Sequence, residues 1–189
     1  DGKCGAYIDS AQLERGGYAR EYNLLTNGSF ISDVTGWCGD CVYASGVHFD
    51  AAGSLLIRGD IDREKKAYQD IPVNAFADIR ETFTLSCWVR SNGIPTHERE
   101  GLQNTAFRIF AEVHYLDGTT DEQIITADGC YAVVGWQYLS CEIAKGKFKT
   151  VDFIRVGCEY SYNLGTAYFD GLTLTRIGIE TGVSADDFV

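Results

Sequence analysis

The clearest pattern in the chain is an alternation of apolar with mostly polar side chains in two stretches, residues 82–90 and 107–115. The apolar positions are Phe83, Leu85, Cys87 and Val89 in the first, and Phe107, Ile109, Ala111, Val113 and Tyr115 in the second. A period of two sends alternate side chains to opposite faces of a β-strand. Both stretches are therefore predicted strands that turn these apolar side chains toward a core.

Shorter stretches of strand-like sequence recur along the chain, and Asn-Gly, Asp-Gly or Asn-Leu-Gly turn signals separate many of them. They span residues 23–26, 42–45, 54–58, 66–71, 122–127, 137–143, 151–160 and 167–175. No long amphipathic helical pattern competes, because the short candidates at 10–15 and 75–81 are predicted as turns. About ten short strands with regular turns predict an all-β, antiparallel sandwich or barrel.

Composition narrows the range of partners. The chain has 189 residues, 45% of them apolar, which is enough for one domain with a substantial core. Its 16 basic and 27 acidic side chains give a formal charge of −11, which repels polyanions and anionic membrane surfaces. No apolar run is long enough for a membrane-spanning helix. We therefore expect no nucleic acid and no membrane insertion, whereas an uncharged glycan or polysaccharide is a compatible partner.

The seven cysteines cannot all pair within the chain. Cys87, Cys141 and Cys158 lie inside predicted strands, where a buried free thiol behaves as a small hydrophobic side chain. Cys38 and Cys41 form a Cys-x-x-Cys motif, but a predicted strand follows it instead of the helix that a thioredoxin-like site requires. We expect a local disulfide or free thiols at that motif.

A short internal repeat bears on domain organisation. Residues 6–13 (AYIDSAQL) align with residues 167–174 (AYFDGLTL), and an offset of one sandwich is typical of tandem modules. We interpret residues 1–21 as the terminal strand of a preceding module with its junction, residues 22–178 as the module itself, and residues 179–189 as an exit linker. The alternative is two unrelated strands that share a pattern.

The order of several motifs resembles a known family of modules. Residues 23–30 (NLLTNGSF), followed by Gly36-Trp37, resemble the opening of carbohydrate-binding modules of families 4/9, 16 and 22. Later strands of those modules are similar, in the same order, to residues 53–57 (GSLLI), 69–73 (QDIPV), 84–90 (TLSCWVR) and 165–172 (GTAYFDGL). The resemblance implies a jelly roll and a non-catalytic glycan-binding module of a larger extracellular bacterial protein, either secreted or attached to the cell surface. Similar modules occur in tandem in Rhs/YD-repeat and wall-associated proteins, which makes neighbouring modules further expected partners.

The same resemblance implies a structural calcium ion that ties the opening segment to the last strand. If the family's ligand positions apply to this chain, the calcium ligands would be the Asp170 carboxylate and backbone oxygens near Asn27, Ser29 and Ser54. Calcium takes six to eight oxygen ligands, several of them from carboxylates. Ile31 stands where the family usually has a glutamate, so one carboxylate is missing. The alternative role for Asp170 is to cap a turn.

The side chains between the apolar positions combine aromatic rings with planar polar groups, which are the groups that stack on sugars and bond their hydroxyls. They are Trp88 and Arg90 on the first strand, Arg108, Phe110, Glu112 and His114 on the second, and Phe153, Arg155 and Glu159 on a third. We predict that they form one glycan-binding sheet face. Trp88 and Phe110 would stack on the sugar, while Arg90, Arg108, Glu112, His114, Arg155 and Glu159 bond its hydroxyls. If the opposite parity faces the core, Trp88 is instead a core residue.

Two other functions stay open at this level. A structural spacer or interaction module of a tandem surface protein needs no sugar, and the repeat fits it equally well. A glycosidase needs two carboxylates roughly 5–10 Å apart, one of them protonated. Glu112 and Glu159 are candidates, but the nearby Arg108 and Arg155 favour their charged forms, which suits ligand contact better than acid catalysis. We therefore expect no catalytic residue and no enzyme.

Overall fold

The computed structural model describes residues 23–50, 52–72, 82–92, 105–127, 135–144, 146 and 149–177. They form ten strands: β1 (Cys38–Gly39), β2 (Val42–Ser45), β3 (Gly53–Arg58), β4 (Lys66–Pro72), β5 (Thr82–Asn92), β6 (Ala106–Tyr115), β7 (Thr120–Thr126), β8 (Gln137–Ile143), β9 (Val151–Ser161) and β10 (Thr166–Ile177). The described residues contain no helix, and so none of the length and apolar character needed to cross a membrane.

The ten strands divide equally between two sheets. The first sheet has the order β1-β4-β9-β6-β7, and the second sheet has the order β2-β3-β10-β5-β8. Every pair of neighbouring strands is antiparallel. The predicted all-β antiparallel jelly-roll sandwich is confirmed.

The core lies between the two sheets and contains the apolar positions that the alternation selects. On β5, Phe83, Leu85, Cys87 and Val89 are all buried, whereas Trp88 between them is half-buried on the outer face. The alternative in which Trp88 belongs to the core is thereby excluded. A completely desolvated layer of this kind is the main source of stability in a sandwich.

Two aromatic contacts fill the centre of this core. The Phe107 ring meets the rings of Tyr160 and Phe169 edge to face, with centroids 5.4 and 5.8 Å away. Trp37 is also buried, and its ring centroid lies 5.6 Å from that of Phe30. Such edge-to-face pairs favour one packing arrangement over others.

Two short segments differ from the prediction. Residues 23–26 are not a strand; Asn23 makes a single bridge with Thr175, and its side chain bonds Leu172, Leu174 and Leu25. Polar side-chain bonds of this kind replace the ladder of a regular strand. Conversely, the two-residue strand β1 lies inside the Cys-x-x-Cys motif and pairs with β4.

The described cysteines are all free thiols. Cys87 and Cys158 are buried, as predicted, whereas Cys141 and Cys41 are half-buried and Cys38 is exposed. Burial raises the pKa of Cys158 well above its ordinary value, and hydrogen bonding to the Cys87 thiol adds to the shift. These two thiols therefore behave as core side chains.

The division of the chain into a preceding strand (1–21), a module (22–178) and an exit linker (179–189) stays a prediction. Residues 1–22 and 178–189 lie outside the described part of the chain, and with them the first copy of the short repeat. The predicted turns at 10–15 and 75–81 lie outside it as well.

Candidate functional site

The predicted glycan-binding face is divided between the two sheets. Trp88 and Arg90 lie on β5 in the second sheet, whereas the other six predicted residues lie on β6 and β9 in the first sheet. Those six are Arg108, Phe110, Glu112, His114, Arg155 and Glu159. The outer faces of two packed sheets point to opposite sides of a sandwich. The prediction of one continuous face is therefore wrong, because consecutive strands β5 and β6 belong to different sheets.

Phe110 lies on the outer face by its position, yet its ring is only 2% exposed. Its neighbour across the strands is Gly157, where an added Cβ would come within 2.6 Å of the ring. The Lys66 ammonium lies 5.5 Å from the ring centroid. The ring occupies the space left by the glycine, and so it has no free face on which a sugar could stack.

The other five first-sheet residues belong to what we call the charged face, a set of paired charges around Arg155. Arg155 donates from Nε to Asp70 Oδ1 at 2.7 Å and from Nη2 to Asp70 Oδ2 at 2.9 Å. Its guanidinium carbon lies 4.3 Å from the centroid of the Tyr68 ring. This two-fold hydrogen bond to Arg155 holds the pKa of Asp70 below its ordinary value. The other four side chains of the charged face also contact one another in pairs.

Glu159 is almost completely buried and lies 2.7 Å from Arg108 Nε. Glu112 Oε2 lies 3.0 Å from His114 Nε2, and the His114 ring stacks on Phe153 with centroids 4.2 Å apart. A ligand on the charged face would have to compete with these internal pairs.

The outer face of the second sheet carries an open depression, which we call the aromatic groove, with a volume of about 670 Å³. The described residues that line it come from β5, β8, β10 and the segments before β1 and between β2 and β3: Asn23, Phe49, Asp50, Thr84, Ser86, Trp88, Tyr138, Gly171, Thr173 and Thr175. A groove of this size is in the range of small-ligand sites.

Three aromatic rings form one end of the groove. Trp88 on β5 and Tyr138 on β8 are direct partners across the strands, with ring centroids 5.1 Å apart. Phe49, from the loop between β2 and β3, stacks on Trp88 at 3.7 Å with an interplanar angle of 12°. Phe49 is 44% exposed and Tyr138 is 52% exposed. Large exposed rings close to one another are unusual on a protein surface, which makes this groove the candidate binding site.

The rest of the groove is lined largely by hydroxyl groups. Ser86 Oγ and Thr173 Oγ1 are hydrogen-bonded at 2.7 Å, and Thr84 and Thr175 continue the same two strands. Asp50 is the only formally charged side chain among the described lining residues. Hydroxyls both donate and accept hydrogen bonds, so this surface suits a neutral ligand that does the same.

Arg90 lies on the same outer face but is not among the lining residues of the groove. Its Nε is buried and has no hydrogen-bond partner among the described residues. The proposed bond between Arg90 and a sugar hydroxyl stays a prediction.

The predicted calcium ligands make other contacts. The Asp170 carboxylate accepts hydrogen bonds from the backbone N–H of Phe49, Asp50 and Gly171 at 2.7, 3.3 and 2.7 Å. The Asn27 carbonyl accepts a bond from Trp37 Nε1 at 3.3 Å. The described residues hold no group of three or more His, Cys, Asp or Glu side chains placed to bind a metal.

Calcium takes six to eight oxygen ligands, so the Asp170 carboxylate alone does not complete a site. One buried oxygen, Ser54 Oγ, has no described partner, but a single hydroxyl does not complete such a set. Calcium binding remains a prediction.

Three residues of the groove, Phe49, Asp50 and Tyr138, were not predicted as site residues from the sequence. Phe49 lies in a loop, where no alternation indicates the direction of a side chain. Tyr138 alternates with Leu139, Cys141 and Ile143 on β8, so the period of two could have placed its ring on the outer face.

Comparisons with family models and with curated proteins find no match. Among solved structures, a family 16 carbohydrate-binding module matches 80% of this chain and 99% of its own, with 15% identity and a TM-score of 0.56. The family 22 xylan-binding domain from Paenibacillus barcinonensis matches 86% of this chain and 99% of its own, with 12% identity and a TM-score of 0.61. A family 61 module solved with β-1,4-galactotriose matches 82% and 99%, with 12% identity and a TM-score of 0.53. The chain has the β-sandwich fold of carbohydrate-binding modules of the family 16 and 22 type.

Proposed function

We propose that the chain is a non-catalytic carbohydrate-binding module whose aromatic groove binds a neutral glycan. The observation that carries the proposal is the row of Phe49, Trp88 and Tyr138 beside a surface of hydroxyl groups. The exposed rings provide flat apolar surfaces for the C–H faces of a sugar, and the hydroxyls bond its polar edge.

The charge distribution supports a neutral ligand over an acidic one. The whole chain carries −11, and the one charged side chain lining the described groove is the carboxylate of Asp50. A uronate or sulfate group would meet repulsion from both. The structural neighbours support a carbohydrate ligand, since they include a xylan-binding domain and a module solved with a galactotriose.

The charged face is the second candidate surface for the same function. Arg155 lies over the Tyr68 ring, and Phe153 and His114 stack beside it, so planar polar and aromatic groups are again combined. In this arrangement Arg108, Glu112, His114, Arg155 and Glu159 would bond sugar hydroxyls. We rank it below the aromatic groove, because its polar groups already satisfy one another.

A location outside the cell, as part of a larger bacterial surface protein with neighbouring modules, belongs to the same proposal. The structural likeness to carbohydrate-binding modules and the short sequence repeat support it. The rival is a structural spacer without a sugar ligand. A groove without exposed aromatic rings would favour the spacer function. The aromatic groove is instead lined by two exposed rings, Phe49 and Tyr138.

Glycan binding can be tested with an array of neutral and acidic glycans, followed by calorimetric titration with soluble xylan and β-1,4-galactotriose. The informative variant is Tyr138→Ala, because the ring is half exposed and its removal leaves the core intact. A stacking ring contributes on the order of 1 kcal/mol beyond its buried area, so we expect affinity to fall about fivefold or more.

The matched control is Arg155→Ala on the opposite side of the sandwich, which should change affinity by less than about twofold under the same proposal. The reverse result, with binding lost in Arg155→Ala and unchanged in Tyr138→Ala, would place the ligand on the charged face. If no glycan on the array binds, the spacer function takes precedence.

A further inference from the structure

The loop that carries Phe49 is held at two points. At its base, the Gly46 N–H donates to the Ala52 carbonyl at 3.1 Å. At its outer end, the N–H groups of Phe49 and Asp50 both donate to Asp170 Oδ2, at 2.7 and 3.3 Å. An exposed loop is thus bonded to a carboxylate that is only 1% exposed.

Asp170 is also the neighbour of Trp88 in the sheet. The two residues are direct partners between β10 and β5, so their side chains lie side by side on the outer face. The backbone N–H of Phe49 therefore bonds Asp170, while the Phe49 ring stacks on Trp88 with centroids 3.7 Å apart. One pair of adjacent residues fixes both the main chain and the side chain of Phe49.

The carboxylate has no described cation beside it to compensate its burial. Its oxygens accept three backbone N–H bonds instead, two from the loop and one from Gly171. Bonds from N–H groups to a charged carboxylate are among the stronger hydrogen bonds in proteins. They satisfy the buried oxygens and order the loop at the same time.

We propose that Asp170 is a positioning residue, which holds Phe49 over Trp88 and so builds one wall of the aromatic groove without a metal ion. The part that concerns ligand affinity rests on the proposed function of the groove. A ring that is ordered before binding spares the ligand the entropy cost of fixing it. Asp170 would thus raise affinity without contacting the sugar.

The first test needs neither a ligand nor a variant. Amide hydrogen exchange, followed by NMR, should show the Phe49 N–H protected by at least about tenfold over its unstructured rate, although the residue is exposed. Exchange at the unstructured rate would overturn the proposal. The same measurement with added calcium and then with EDTA should give an unchanged rate. Faster exchange in EDTA would show that a cation holds the loop instead.

The second test uses the variant Asp170→Ala, whose side chain has no oxygen to accept a hydrogen bond from the loop. We expect the Phe49 amide to exchange at least about tenfold faster, with the far-ultraviolet circular dichroism of the wild type retained. Unchanged exchange of this amide in a folded variant would show that Asp170 does not hold the loop. If the variant does not fold, the wild-type exchange measurement decides.

The third test is a cycle of Asp170→Ala, Phe49→Ala and the double variant, titrated with soluble xylan and β-1,4-galactotriose. If Asp170 acts through Phe49, each single change weakens binding to a similar extent, about fivefold, and the double variant is no weaker than Phe49→Ala. Losses that multiply would show independent effects and contradict the proposal. If the wild type binds neither carbohydrate, the proposed function fails, while the exchange measurements still test the role of Asp170.

Discussion

Arg155 and Asp70 illustrate how single residues are held on the charged face. Their two hydrogen bonds join a planar guanidinium to both oxygens of one carboxylate, and Tyr68 supports the guanidinium from one side. The same two bonds lower the pKa of Asp70 from its ordinary value of 3.8. A carboxyl with a lowered pKa in the folded state stabilises the protein above the unfolded value, and this contribution is lost as the pH falls through the folded one.

We therefore expect Asp70→Asn to reduce the free energy of unfolding at pH 6 and to have little effect near pH 2. The Asp70 side chain is 44% exposed, so solvent screening limits the difference at pH 6 to about 1 kcal/mol or less. Urea unfolding of both proteins at the two pH values measures it.

The control is Asp152→Asn, an exposed carboxylate on β9 for which the described residues include no ion pair. It should change stability by less than the error of the measurement at either pH. If Asp70→Asn lowers the free energy of unfolding by the same amount at pH 6 and at pH 2, the role assigned to the ion pair is contradicted.

At the scale of the element, β10 carries an irregularity that shapes the groove. Asp170 pairs with Trp88 and Thr173 pairs with Ser86, so Gly171 and Leu172 together stand opposite Cys87. Gly171 has φ of +58°, and an added Cβ would lie 3.4 Å from Trp88 Cδ1. A bulge of this kind redirects the strand next to a functional surface.

The variant Gly171→Ala should lose about 1 kcal/mol of stability, because a side chain with positive φ is strained. It should also change the fluorescence of Trp88 and weaken glycan binding, because the new methyl group contacts the indole. Urea unfolding measures the loss of stability, tryptophan emission measures the change at the indole, and titration with a glycan measures the loss of affinity.

Gly118→Ala is a matched control, since Gly118 also has positive φ, +82°, but nothing lies within 4 Å of its added Cβ. It should show a comparable loss of stability and unchanged glycan binding. Equal effects of the two variants on binding would indicate that the bulge has no part in the groove.

The strands themselves were largely predictable from the sequence, and the reason is visible in β5 and β6. Burial of one face forces a period of two on both, and that period can be counted without knowing the fold. The sheet to which each strand belongs leaves no such local trace, since it depends on which distant strands pair. This is why Trp88 and Phe110 were expected on one face and lie on two.

The candidate site was predictable only in part for a related reason. Trp88 could be found because its ring stands in the otherwise polar row of a regular strand. Phe49 could not, because its direction is set by bonds to Asp170, 121 residues further along the chain. The burial of Phe110 likewise depends on a glycine in another strand.

At the scale of the whole molecule, the core determines which thiols are reactive. Cys87 and Cys158 lie between the sheets, and burial keeps the pKa of Cys158 high, so the thiolate that reacts is scarce. We expect iodoacetamide to label Cys38 in the native protein and to label Cys87 and Cys158 only after unfolding. Peptide mapping by mass spectrometry distinguishes the sites, and labelling of Cys158 as fast as Cys38 in the native protein would argue against a closed core.

The central claim is that a neutral glycan binds to the outer face of the second sheet. The most direct measurement is an NMR titration of the labelled protein with a neutral oligosaccharide that binds. We expect the largest shifts at the Trp88 indole and at the amides of Phe49 and Tyr138, with Arg155 and His114 unchanged. Shifts concentrated at Arg155 and His114, with the Trp88 indole unmoved, would contradict the claim.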